Sequence, residues 1–294
     1  MPSLLQSGLR QSHPRQYPSA RLVLLLACMA AGALEAAEDV HLIRSPRQSG
    51  ETTVRVFTPN RKDIDLPMRT LYVLPVEAGA ETRWGDPAEE IRKLDIADRY
   101  GLVVAMPTFS ALPWYADHPT NMSLRQEQYL LKDVLPLVEG SYPVETGPDG
   151  RLLVGFSKSG WGAWSLLLRH PEVFGKAAAW DAPLMQDAPD RFGMEPIFGG
   201  QANFEQYRIT ELIRSRAAEL RQRCRLVLTG YAGAFRAHHT AMHNLLVELA
   251  IPHAYRDGPQ RGHQWHSGWL EEAVSILVTG CGTGDSEEPH AERD

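Results

Sequence analysis

Leu152-Leu153-Val154-Gly155-Phe156-Ser157-Lys158-Ser159-Gly160-Trp161-Gly162-Ala163 reads as a short apolar strand, a turn of small residues with a serine at its apex, and the start of a helix that continues to His170. A strand that turns this sharply into a helix lifts the serine hydroxyl above the sheet edge. It also aims the following backbone N–H, here that of Lys158, at a point where negative charge can develop. Gly155 and Gly160 are small enough for strand and helix to approach closely. The strict pattern places glycine at position 159, where this chain has Ser159, still a small side chain. Ser159 is the poorer candidate nucleophile, because the residues two before and two after it are Ser157 and Trp161.

Outward from this turn the chain alternates strand and helix. Thr52–Phe57 alternates as a strand, and Leu71–Pro75 and Leu102–Met106 are continuous apolar runs of the buried type. A helix is expected over 87–100, started by Pro87 and stopped by Gly101, and a longer amphipathic helix over 124–142. Beyond the elbow come strand 176–180, an irregular stretch 182–207, helix 208–221, strand 225–230, helix 235–249, strand 252–256 and helix 267–278. This order predicts an α/β fold, a mostly parallel central sheet with helices on both faces, and chemistry at the carboxyl ends of the strands.

Composition bounds the reading. The 294 residues are 43% apolar and 22% charged, with a net charge of −6, so a large core is affordable and a nucleic-acid partner is disfavoured. Arg10, Arg15 and Arg21 precede the apolar run 22–34 and small-residue cleavage sites, so residues 1–37 read as an export signal and the product as secreted or periplasmic. Leu25-Leu26-Ala27-Cys28 admits a second reading, a lipid anchor at Cys28, although the apolar stretch before it is short. The folded domain is placed at 38–282, with a disordered tail at 283–294. Once the signal is removed, Cys224 and Cys281 remain, either as a disulfide or as two separate thiols.

A serine alcohol needs a base, and the base needs an acid to orient it. His263, in Gly262-His263-Gln264-Trp265, sits in the loop after the last expected strand, with His266 as the fallback. The usual position for the acid, after strand 225–230, holds no carboxylate, whereas Asp181 ends strand 176–180 directly. Asp181 is therefore assigned as the acid, with Glu77 and Asp117 as rivals approaching from the other side. The oxyanion donors are assigned to Lys158 and to Val76 or Glu77, because Pro75 has no N–H; Glu77 would oppose an oxyanion if it pointed inward. Trp114, Tyr115, Trp161, His239 and Trp265 are assigned to substrate binding, in keeping with a small-molecule or glycan ester. The aromatic and Met-rich stretch 182–207 is read as a lid, and the loop 108–121 as the opposite wall. His238, His239 and His243 cluster without a completing carboxylate or cysteine, so no metal and no cofactor are assigned.

With these residues placed, the chain resembles the putative esterase family of α/β-hydrolases, which includes esterase D-like enzymes, feruloyl and acetyl-xylan esterases and mycolyltransferases. The resemblance rests on 155–163, on Gly262-His263-Gln264-Trp265 followed by Trp269, and on Trp114-Tyr115 and 135–139 ahead of the elbow. It implies Ser157 as nucleophile and His263 as base in an ester hydrolase working through an acyl-enzyme. Ser159, the carboxylate-free segment after strand 225–230 and the Pro75-Val76-Glu77 loop depart from the family pattern. They leave open a non-catalytic binding protein on the same fold, or an acyltransferase or peptidase on the same machinery.

Overall fold

The computed structural model describes residues 36–60 and 67–281. Residues 1–35 of the segment read as an export signal, Cys28 among them, and the expected tail 283–294 lie outside the described residues. Eight strands form one sheet: β1 (Ala37–Arg44), β2 (Glu51–Thr58), β3 (Arg69–Val73), β4 (Leu102–Pro107), β5 (Arg151–Phe156), β6 (Lys176–Trp180), β7 (Leu226–Thr229) and β8 (His253–Arg256). Their spatial order is β1-β2-β4-β3-β5-β6-β7-β8. β1–β2 and β2–β4 pair antiparallel, and every other pair is parallel. The central strands are buried throughout, β4 at all of its positions, because helices cover both faces.

One face carries the elbow helix Ser157–Arg169 and the helix Arg236–Glu248, and buries Trp161, Trp164, Leu168, Met242 and Leu246 against Tyr72 and Leu153. The other carries Pro87–Lys93, Ile96–Tyr100 and Trp269–Thr279, and buries Ile91, Ile96, Val274 and Leu277 against Leu71 and Val154. These are the two layers that the alternation of strand and helix called for.

Three local differences from the sequence reading have physical causes. The helix expected over 87–100 breaks at Leu94–Asp95, where Asp95 takes a left-handed φ of 51°. The helix expected over 124–142 contains a widened π turn at Leu130–Val134 just before Pro136. Proline has no N–H for the i−4 carbonyl and its ring crowds that carbonyl, so the turn opens to admit it. The sheet also gains β1, an edge strand whose side chains are mostly exposed and which therefore lacks an apolar signature. Among the described residues no helix is long and apolar enough to cross a membrane.

Cys224, just before β7, and Cys281, after the last helix, are joined by a disulfide across a sequence separation of 57. Loop-closure entropy for a ring of that size corresponds to about 4 kcal/mol in the chain-entropy model. Cys281→Ser should therefore lower the thermal midpoint by roughly 8–16 °C at about 2–4 °C per kcal/mol. It should leave the far-UV circular dichroism unchanged. A midpoint equal to wild type would show that the bridge constrains little.

Candidate active site

Phe156 pairs with Trp180 across β5 and β6, and their rings stack with centroids 5.4 Å apart. The next residue on each strand, Ser157 and Asp181, therefore leaves the sheet at the same level. Both take left-handed backbone angles, φ 52° and 40°, which a side chain adopts only when its surroundings hold it there. At the elbow the reason is close packing: a Cβ on Gly155 would lie 2.5 Å from the carbonyl carbon of Ser159. The departure at position 159 has a use, for the Ser159 hydroxyl accepts from the Phe156 N–H at 3.0 Å and donates to the Phe156 carbonyl at 2.9 Å. It ties the turn together and is fully buried.

Asp181 is held from both sides. Its own N–H donates to the Gly230 carbonyl at 3.0 Å, and the N–H of Ala182 donates to Nε2 of His239 at 2.9 Å. Its Oδ2 accepts from Nδ1 of His263. That bond places the imidazole proton on Nδ1 and leaves Nε2 with its lone pair. Ser157, Asp181 and His263 all line one cavity of about 840 Å³, together with Lys158 and Glu77. The fallback His266 is exposed in a short turn, Trp265–Ser267, outside that lining. Of the rival acids, Asp117 accepts from the Gln128 N–H at 3.1 Å, and Glu77 Oε1 accepts from Trp84 Nε1 at 2.8 Å.

Lys158 Nζ lies 3.5 Å from the same Glu77 oxygen. Burial lowers the Lys158 pKa, with the Glu77 charge opposing that shift. The Glu77 carboxylate is thus partnered beside the elbow, which reduces the field it would set against an oxyanion. Val76 is buried, and the Pro75 carbonyl before it accepts from the Tyr115 hydroxyl at 2.5 Å. This bond fixes the loop from below.

The assignments to substrate binding need correction. Trp114, Tyr115, Trp161, His239 and Trp265 are all buried, and none of them lines the cavity. The N–H groups of Trp114 and Tyr115 both donate to Gln126 Oε1, at 2.8 and 2.9 Å, which turns the two rings into the core. Trp161 packs among Trp114, Phe198 and Phe204, and Trp265 among Phe156 and Trp180. These residues position the cavity rather than touch its contents. The lid reading of 182–207 also narrows: Met194, Ile197, Phe198 and Phe204 are core residues carried on two short helices, Glu195–Phe198 and Gln201–Phe204. Only Pro183, Gln186, Arg191, Phe192 and Gly193 of that stretch reach the cavity, and from 108–121 only Leu112 does.

The walls that sequence reasoning missed are Trp84, whose ring meets His263 edge-on at 4.8 Å, and Phe235, tilted against His263 at 6.2 Å and against Phe192 at 5.8 Å. Arg83 lies over Trp84, 4.7 Å from the ring centroid. All four residues of interest here, Arg83, Trp84, Phe192 and Phe235, sit in segments without periodicity. The three clustered histidines face different ways. His238 Nδ1 accepts from the Met185 N–H at 3.1 Å, His239 holds Ala182, and His243 Nδ1 lies 2.8 Å from His253 Nε2. Among the described residues no group of three metal-ligating side chains comes together.

Strand order and elbow define an α/β-hydrolase fold, shared with solved structures along most of the chain. A ferulic acid esterase is 19% identical, with 84% of this chain and 99% of that one covered and a TM-score of 0.66. The fluorophosphonate-binding serine hydrolase F of Staphylococcus aureus is 18% identical, with 83% and 99% covered and a TM-score of 0.67. MPT51 of Mycobacterium tuberculosis is 18% identical, with 84% and 100% covered and a TM-score of 0.58. No curated protein matches the sequence. Residues 103–247 match the family described as putative esterase, the family whose motifs the sequence resembles.

Burial drives the His239 pKa from 6.5 down to about 4. The unfolded chain therefore binds a proton that the folded one refuses. The group's contribution to stability is complete above about 6.5 and is lost as the pH falls towards about 4. Urea midpoints measured across that window should fall with acid more steeply in wild type than in His239→Gln, whose amide oxygen can still accept from Ala182. Equal slopes would remove His239 as the titrating group.

Proposed function

We propose that the chain is an exported serine esterase that cleaves a carboxylic ester of a small molecule or glycan through an acyl-enzyme. The observation that carries the reading is the Asp181–His263 hydrogen bond at the floor of the cavity that also holds the strained Ser157. In this mechanism Nε2 of His263 takes the proton as the Ser157 hydroxyl attacks the substrate carbonyl. The tetrahedral oxyanion is held by the N–H of Lys158, at the start of the elbow helix, and by an N–H of Val76 or Glu77. Collapse of this intermediate expels the alcohol, which takes the proton from His263. Water then repeats the sequence on the acyl-serine and releases the acid. Asp181 fixes the tautomer and steadies the imidazolium that forms in each half-reaction. No step needs a cofactor.

Export rests on the basic and apolar segment ahead of residue 37, and the Cys224–Cys281 bridge is in keeping with an oxidising compartment.

A fluorophosphonate probe should label the wild type and leave Ser157→Ala unlabelled. Ser157→Ala should lose about 10⁴-fold or more in the turnover of an aryl ester, with its thermal midpoint kept. Labelling that persists in Ser157→Ala would transfer the role to another serine.

Asp181→Asn should keep the fold and lower turnover by about 10³- to 10⁴-fold, through the wrong imidazole tautomer. A loss of less than tenfold would assign the orientation of His263 to another group.

A further inference from the structure

The cavity has a polarity that the ester reading does not explain. Its lining contains three cations, Arg83, Lys158 and Arg191, against two carboxylates, Glu77 and Asp181, in a chain whose net charge is −6. Both carboxylates are already engaged, Glu77 by Trp84 and Lys158, and Asp181 by His263. Lys158 is spent in the same pairing. That leaves the two arginines.

Arg83 stacks on Trp84, and among the described residues it makes no ion pair. Arg191 has only a loose contact with its neighbour Asp190, 3.8 Å between groups that are 70% and 60% exposed. A pair that open to water contributes little. The two arginines line the same cavity from separate segments of the chain. Arg83 comes from the loop after β3 and Arg191 from the segment after β6. The same cavity is lined by the apolar rings of Trp84 and Phe235, which both pack against His263, and of Phe192, which packs against Phe235. His238 also lines the cavity. Its Nδ1 accepts from the Met185 N–H, so the hydrogen of the neutral ring is on Nε2.

We infer that this esterase acts on anionic esters: substrates with an apolar body seated between Trp84 and Phe235 and a carboxylate or similar anion held at the mouth by Arg83 and Arg191. The inference rests on the serine-esterase reading of the same site and narrows its substrate class. A guanidinium is suited to the task, since it presents a planar fork of donors and stays charged at every working pH. Stacking on Trp84 orients the Arg83 fork before any substrate arrives. The cavity's excess of cations over carboxylates also raises the local concentration of an anionic substrate.

The anion can be carried by the acid or by the alcohol of the ester, and matched probe pairs separate the two. The acyl pair is 4-nitrophenyl hydrogen glutarate against 4-nitrophenyl pentanoate. The alcohol pair is 4-acetoxybenzoate against phenyl acetate. The acyl pair shares its leaving group and is compared by kcat/KM after subtraction of the enzyme-free rate, whereas in the alcohol pair each kcat/KM is divided by the ester's hydroxide-catalysed hydrolysis rate, so that leaving-group reactivity cancels. In at least one pair the anionic member should be preferred by about tenfold at low salt, with the preference shrinking as salt screens the arginines. In the double variant Arg83→Gln, Arg191→Gln the ratio of anionic to neutral ester should fall to near one. The pair that responds tells which half of the ester bears the charge. Neutral esters turned over as well as anionic ones in both pairs would overturn the substrate class and leave the esterase standing. A preference that survives in the double variant would overturn the role of the two arginines. A wild type that turns over none of the four esters and takes no fluorophosphonate overturns the esterase reading, and this inference with it.

Discussion

The pairing of Phe156 with Trp180 determines where β5 and β6 end, and the site follows from that register. Because side chains alternate along a strand, a slip by one residue would move every side chain of β6 to the opposite face of the sheet. It would also part Ser157 from Asp181. The stacked rings resist such a slip, and the close approach of Gly155 to Ser159 leaves the elbow no other conformation. The left-handed angles at Ser157 and Asp181 are strained conformations that the packing around them maintains.

The aromatic residues divide the work by depth. The deepest, Trp161, Trp164, Trp180 and Trp269, are fully buried and fill the layers on either side of the sheet. Tyr115 and Trp114 are equally buried, and their polar atoms hold two cavity loops from beneath: Tyr115 through the Pro75 carbonyl, and Trp114 through the Phe192 carbonyl at 3.2 Å. Only Trp84, Phe192 and Phe235 reach the cavity itself. A buried Trp or Tyr usually finds a partner for its polar tip, and for Trp114 and Tyr115 that partner is a backbone carbonyl of a cavity loop. Core packing and site geometry are thereby the same set of contacts.

Much of the fold was legible because its strands are buried on both faces and read as continuous apolar runs, as in 71–75 and 102–106. Where the reading slipped, the signal was local and weak, as at the exposed edge strand β1 and at the helix that Pro136 distorts. Ser157, Asp181 and His263 could be singled out because each follows or faces a strand end in a short motif. The substrate wall could not. Trp114-Tyr115 among polar residues looks like a binding platform until Gln126 is seen to draw both backbone N–H groups inward, and that contact depends on tertiary structure alone. Arg83, Trp84 and Arg191 lie in loops whose residues carry no period, so nothing in the chain marks them before it folds.

The acid's position after β6 also accounts for the cavity's shape. The segment 230–235 after β7 holds no carboxylate. Here that segment has another task. The Gly230 carbonyl takes the N–H of Asp181, and the Arg256 carbonyl takes the N–H of Gly230 at 3.1 Å, so β8 supports β7 and β7 supports the acid. Freed from supplying the acid, Ala232, Gly233 and Ala234 form a low wall of small side chains that ends in Phe235. The room left over is what lets an apolar group sit beside the imidazole. With Asp181 after β6, His263 keeps a hydrogen-bonded carboxylate while the small residues after β7 line the cavity.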